Sequence, residues 1–325
     1  MTAQDPPLKI DVIRSFIAQH VPRRIYDKSS SRLSRWLWRR LHRFYSRGRL
    51  ATRVRLHGRT LILNAANPYP FILADAPHFN SGLVAAATQL RRYFNRPLRI
   101  VDVGAALGDT VVLLNYAVPQ CMQSCICIDG EPGNKPFFEA NTVGIQGLFV
   151  YFTMLSATAG NMCSLVRHHP GTAMAAGTGI VQSQTLDLLL SGSGTAGICD
   201  LLKIDVDGYD GEVLLGASGI LSRQQPLVIF EWHPYLIKLC GNDHHAPFRA
   251  LAAAGYRKLL WFGNRGPFSH ATDIPTEAQI DWWRDFLIDK NEPFGPHFDI
   301  IALPPALESL VDPITRSSIF QGYDA

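Results

Sequence analysis

The chain has 325 residues, 47% hydrophobic and 18% charged, with a formal net charge of +4 at pH 7. That balance supports a sizeable core in one large domain, or one domain with extensions, and excludes wholesale disorder. No apolar run reaches the roughly 18 residues of a membrane-crossing helix. The opening "MTAQDPPLKIDVIRSF" lacks the basic-then-apolar order of a signal peptide, so a cytoplasmic protein is expected.

The charge is unevenly placed. From Val21 to Thr60, twelve Arg and one Lys stand against a single acid, Asp27, so the remainder of the chain is net acidic. Within that basic segment, residues 31–47 ("SRLSRWLWRRLHRFYSR") predict an amphipathic helix. Leu33, Leu37, Leu41 and Phe44 form one stripe with Trp36 at its edge, and Arg32, Arg35, Arg39 and Arg43 flank it. Such a helix can dock on its own domain or a partner subunit, lie on an anionic membrane surface, or touch nucleic acid. No nucleic-acid motif accompanies it, so nucleic acid is not an expected partner. Residues 52–64, "TRVRLHGRTLILN", alternate around His57-Gly58 and predict a hairpin. A loop rich in Pro, Asn and aromatics is expected to about Asn80, then a helix over "SGLVAAATQLRRYF". Residues 1–95 are thus an N-terminal helical and hairpin extension, and 96–325 the main domain.

From residue 98 apolar strands alternate with helices. The strands are "LRIVDVG", "SCICID", "GLFVYFTML", "CDLLKIDV", "PLVIFEW", "RKLLWFG" and "HFDIIALP". The helices are "DTVVLLNYAV", "KPFFEANTV", "TLDLLL", "YDGEVLLGASGIL" and "PFRALAAAGY", with an irregular region from 156 to about 184. Strands that are continuously apolar are buried on both faces, as in a parallel sheet covered by helices. The expected fold is α/β, a doubly wound, mostly parallel sheet. Ligands in such sheets bind beyond the carboxyl ends of the strands, where strand order reverses. Cys125, Cys127 and Cys199 fall inside strand-like runs, and no C-x-x-C pair occurs among the six cysteines. Buried thiols in a reducing compartment are expected.

The first strand ends in "VDVGAALGD". A dinucleotide dehydrogenase needs G-x-G-x-x-G there, but Ala106 and Asp109 occupy the second and third glycine positions. What stands is Asp102, then Gly104 and Gly108, where backbone can approach a ligand closely. The second strand ends at Asp129, with Glu131 two residues on; either can accept from ribose hydroxyls in a nucleotide-binding sheet. The stretch "DVDGYD" (Asp205, Asp207, Asp210) suggests a calcium loop. Counting from Asp205, the positions that must supply an oxygen, a Gly and a Glu hold Tyr209, Asp210 and Gly216, so the EF-hand fails. Instead Asp205 ends a central strand and faces the cleft, Asp207-Gly208 turn, and Asp210 opens a helix. Glu231 and His233 lie just beyond the next strand. With Asp205 they allow a general base or a hard-metal site; no metal ligand is assigned.

The order "VDVGAALGDT", "CIDGEPGNKPFFEANT", "QTLDLLL", "DLLKIDVDGYDGEVLLGASGIL", "PLVIFEWHP", "HFDIIAL", spanning about residues 98–303, resembles the FkbM family of methyltransferases. Its most specific part is close to the family's I-K-I-D-V-E-G-x-E-x-x-x-L-x-G-A. The resemblance implies a Rossmann-like methyltransferase sheet and S-adenosyl-L-methionine as cofactor. It implies cofactor contacts from Asp102, Gly104, Ala105, Ala106, Gly108 and Asp109, from Asp129 or Glu131 at the ribose, from Ser156, and from Asp205 near the transferred methyl. It departs from the family at Ala106, where Asn is common, and at Asp207 and Asp210, where Glu is usual. The expected activity is O-methylation of a hydroxyl on a sugar or small natural-product acceptor. Asp205 or His233 would be the base, and Glu231 would orient the histidine or bind the acceptor. A non-catalytic cofactor-binding domain that docks through its basic helix is the alternative.

Overall fold

The computed structural model describes residues 51–320 apart from 65–66, 68, 77, 161, 170–171, 193–197 and 289–295; the helix expected over 31–47 lies outside the described residues. Strands β1 (Ala51–Leu56) and β2 (Arg59–Asn64) form the expected hairpin. Both turn residues, His57 and Gly58, have positive φ, which matches the twist of the strands. Val54, Leu61 and Leu63 pack on Leu107 and Val112 of the main sheet's helical layer. The expected loop holds a short helix, α1 (Tyr69–Asp75), capped by Asn67, whose Oδ1 accepts the Tyr69 amide at 2.8 Å. Helix α2 (Ser81–Phe94) follows as expected.

Strand β3 (Leu98–Val103), α3 (Asp109–Ala117), β4 (Met122–Asp129), α4 (Lys135–Asn141) and β5 (Leu148–Phe152) continue the alternation. The region expected to be irregular is instead a long hairpin. Strand β6 (Met154–Leu155) pairs parallel with β8 (Thr172–Gln184), which pairs antiparallel with β7 (Met162–His169). After α5 (Leu186–Gly192) and β9 (Leu201–Ile204) the single helix expected next is two, α6 (Asp210–Leu215) and α7 (Ser218–Gln224). They part at Gly216, where an added Cβ would sit 2.3 Å from the Ser156 carbonyl oxygen. Strand β10 (Leu227–Trp232), α8 (Pro234–Cys240), α9 (Ala246–Ala253), β11 (Lys258–Gly263), β12 (Phe268–Asp273), α10 (Glu277–Ile288), β13 (Phe298–Leu303) and α11 (Val311–Phe320) complete the chain.

Eight strands form the central sheet in the order β12-β11-β13-β10-β9-β3-β4-β5. The five from β10 to β5 are parallel, and β13 and β12 run against them. Alternate residues feed opposite cores. Val101 and Val103, Leu202 and Ile204, Val228 and Phe230 face one side; Ile100, Leu201, Leu227 and Ile229 face the other. Two-sided burial explains the continuous apolar runs. Each such side chain contributes about 1.5–3 kcal/mol. Cys121, Cys125, Cys127 and Cys199 are buried free thiols. No helix among the described residues is long and apolar enough to cross a membrane.

Candidate active site

The chain leaves β3 toward β4 and β5 on one side, and β9 and β10 lie on the other. The reversal opens a crevice beyond the ends of β3 and β9, where a sheet of this kind binds ligands. The two strand ends touch there. Gly104 has φ 84°, and an added Cβ would sit 1.9 Å from the Asp205 carbonyl oxygen. The Asp205 amide donates to Val103 O at 3.0 Å. The crevice is partly open to solvent. Gly104, Ala106, Asp129, Glu131, Asp205, Asp207 and Tyr209 are in its wall. Among the described residues no Lys, Arg or His lines it, so its charged lining is four carboxylates, with Lys203 reaching Asp205 from behind the wall.

The two candidate ribose acids differ in what they already hold. One Asp129 oxygen accepts the Ala106 amide at 2.8 Å; the other accepts the Glu131 amide at 2.8 Å and Asn134 Nδ2 at 3.2 Å. Burial raises the Asp129 carboxyl above its usual range, and those three donors oppose the rise. Asp129 therefore clamps the loop after β3 to the loop after β4. The clamp holds Ala106 at φ 40°, a left-handed conformation that costs a non-glycine residue about 1–2 kcal/mol. Glu131 spends Oε1 on the Gly133 amide at 2.8 Å, capping the turn at Pro132–Asn134.

Other expected cofactor residues support the crevice without lining it. Asp102 is fully buried beneath it, with Lys203 Nζ 3.3 Å from Oδ1. Ala105 is buried behind the loop. Gly108 caps α3 at φ 78°, where an added Cβ would meet Thr142 Cγ2 at 2.7 Å. Burial lifts the Asp109 carboxyl to about 6, with Lys203 pulling it back. The Ser156 hydroxyl donates to Thr158 O at 2.7 Å and meets Ser183 Oγ at 3.0 Å.

A second, smaller cavity abuts the first and shares Asp205 with it. Lys203, Asp205, Glu231 and Asp299 line it, between apolar walls that include Leu83, Phe230 and Phe262. Glu231 and Asp299 are direct cross-strand partners on β10 and β13. Burial, then repulsion from Asp205, lifts Glu231 well above the usual carboxylate range and Asp299 to about 7. Lys203 Nζ lies 3.3 Å from Asp205 Oδ2 as well as from Asp102. Burial pulls this ammonium down, but Asp102, Asp205 and Asp109 together hold it above its usual range.

Of the expected catalytic trio, the structure brings Asp205 and Glu231 to one cavity. His233 is 2% exposed, lines neither cavity, and stacks on His297 with ring centroids 4.4 Å apart. His297 Nε2 in turn meets Glu231 Oε1 at 3.2 Å. Lys203, Asp299, His297 and the buried Asp210, which accepts the Glu231 amide at 3.2 Å, are contributors that sequence reasoning missed. A charge inside an apolar run, Lys203 as the one basic residue of "DLLKIDV" and Asp299 as the one acid of "HFDIIAL", was the available signal.

Residues 102–258 match the family model described as the Methyltransferase FkbM domain. No curated protein matches the chain. Among solved structures, the FkbM methyltransferase from Methylobacillus flagellatus KT is 15% identical with a TM-score of 0.36, over 50% of this chain and 40% of that one. The chain thus spans less than half the length of that relative. Cofactor-bound Rv0187 from MTB is 14% identical with a TM-score of 0.38, over 73% of this chain and 89% of that one. The N-methyltransferase NodS from Bradyrhizobium japonicum WM9, in complex with S-adenosyl-L-homocysteine, is 12% identical with a TM-score of 0.37, over 74% and 94%. The family match carries the likeness: over residues 102–258 this chain matches the methyltransferase domain of the FkbM family.

Proposed function

We propose that the domain transfers the methyl group of S-adenosylmethionine to a hydroxyl of a small acceptor, such as a sugar or natural product. The observation that carries this reading is the charge of the crevice. Asp129, Glu131, Asp205 and Asp207 line it, with no Lys, Arg or His among its described lining residues. A pyrophosphate-bearing dinucleotide would meet repulsion there, whereas a sulfonium and an α-ammonium meet attraction. S-adenosylmethionine, when bound, supplies an electrophilic methyl on a cationic sulfur that leaves as a neutral thioether.

The chain's own groups then have separate tasks. Glu131, whose Oε1 holds Gly133, stands in the crevice wall as the acceptor for the ribose hydroxyls. Gly104 and Ala106 bring bare backbone to the crevice wall. Asp205 stands in the wall common to both cavities, where it accepts the acceptor hydroxyl's proton as the oxygen takes the methyl. Lys203 steadies that carboxylate from behind at 3.3 Å. Displacement at a sulfonium needs mostly positioning, so the two abutting cavities supply the main contribution.

The test is incubation with methyl-labelled S-adenosylmethionine and a panel of hydroxylated acceptors. Label should pass to at least one acceptor's oxygen, and Asp205→Asn should slow that transfer by about 10²–10⁴ while cofactor binding persists. Full transfer by Asp205→Asn would remove Asp205 as the base. Cofactor binding without transfer to any acceptor would favour the non-catalytic reading.

A further inference from the structure

We propose that the second cavity seats the acceptor and selects one that carries an ammonium group beside its hydroxyl, an amino alcohol or amino sugar in chemical class. The inference rests on the methyltransferase reading and adds the acceptor's charge to it. Its first support is placement. The cavity meets the crevice only across Asp205 among the residues that line both, so a hydroxyl in it faces the cofactor side through that carboxylate.

The second support is a charge count over the cavity wall. Among the described residues Lys203 is the one cation there, and its ammonium is already shared between Asp102 and Asp205, each at 3.3 Å. That leaves Glu231 and Asp299 facing each other across β10 and β13. Like charges directly opposite on neighbouring strands are destabilising. His297 engages one Glu231 oxygen at 3.2 Å. The other, Oε2, is buried and has no hydrogen-bond partner among the described residues. Beneath β10, Asp210 adds a further buried acid on the Glu231 amide. A neutral polyol could hydrogen-bond to this wall but brings no charge against which both carboxyls can ionise, so they keep their protons. An ammonium brings three donors and the missing positive charge together.

The third support is rigidity. Asn80, Gly82 and Leu83 at the start of α2, and Gly266 in the β11–β12 turn, close the cavity. Ser81 Oγ donates to Gly266 O at 2.7 Å, and the backbone at Gly266 lies so close to His78 that an added Cβ would overlap the His78 carbonyl oxygen at 1.5 Å. Gly82 lies under the Phe262 ring, 3.1 Å from where its Cβ would be. These contacts brace the cavity wall, so little ordering of the protein falls on binding.

The experiment uses the full chain saturated with S-adenosylhomocysteine, whose own binding is measured first. Glucosamine against glucose, and ethanolamine against ethylene glycol, are then titrated by calorimetry at neutral pH. The amine member of at least one pair should bind about ten- to a hundredfold tighter, the range of a charge-assisted hydrogen bond. That preference should collapse in Asp299→Asn and in Glu231→Gln, two separate near-isosteric variants, with S-adenosylhomocysteine affinity retained. Equal binding of amine and neutral members, binding of neither, or a preference untouched by both variants overturns the proposal. Failure of S-adenosylhomocysteine to bind would instead overturn the methyltransferase reading, and this inference with it.

Discussion

Asp210→Asn should stabilise the protein at alkaline pH and leave it unchanged in acid. Asp210 opens α6 with only 1% of its surface exposed. One oxygen accepts the Glu231 amide at 3.2 Å, and the other has no hydrogen-bond partner among the described residues. Burial, reinforced by Asp205, moves the carboxyl from 3.8 to about 7. Between those values the folded state holds a proton that the unfolded state has lost. The native stabilisation is therefore complete below about pH 4 and is lost as pH rises through about 7. A shift of about three units corresponds to roughly 4 kcal/mol, an upper bound for a group whose surroundings can relax. Asparagine keeps the acceptor for Glu231 and never ionises. Urea unfolding of both proteins at several pH values between 5 and 8 should show the variant gaining about 2–4 kcal/mol toward pH 8, and a melting temperature higher by about 4–12 °C. Equal stability at all pH values, or a variant less stable at pH 8 than at pH 5 relative to the parent, would refute this account of the buried acids.

The two candidate ribose acids separate by their effects. Glu131→Gln should weaken S-adenosylmethionine binding about tenfold or more with little change in melting, because the cap to Gly133 survives. Asp129→Ala should weaken binding and also cost about 2–4 kcal/mol of stability, because three donors lose their acceptor. Chemical denaturation beside calorimetry distinguishes them. Lys203→Met should cost about 3–5 kcal/mol by stranding the fully buried Asp102. Lys203→Met with Asp102→Leu should recover most of that loss in urea unfolding, yet methyl transfer should stay low because Asp205 is no longer held from behind.

Much of the main sheet was legible because alternate residues of β3, β9 and β10 enter two different cores, which leaves the apolar runs unbroken. The crevice was legible for a related reason: acids that directly follow such runs, Asp129 and Asp205, fall where the strand order reverses. Other parts had no local signal. The β7–β8 hairpin is rich in Ala, Gly and Ser and has no apolar alternation. Helix α1 hides in a proline-rich stretch and starts from an Asn67 cap. The α6–α7 break depends on the Ser156 backbone, 60 residues earlier, passing over Gly216. Lys203 gains its meaning only from the pairing that sets it beside Asp102, and Asp299 only from the β10–β13 register beside Glu231. Strand order is a tertiary fact that periodicity does not carry. His233 looked exposed at a strand end, but the His297 ring that covers it arrives from 64 residues later.

An acidic crevice between Gly104 and Asp205 is proposed to hold a cationic nucleoside cofactor. Titration calorimetry of the full chain with S-adenosylmethionine, and separately with NAD, tests it most directly. Saturable one-to-one binding of S-adenosylmethionine, weakened by Glu131→Gln, and no detectable heat from NAD are expected. Binding of NAD with none of S-adenosylmethionine would contradict it.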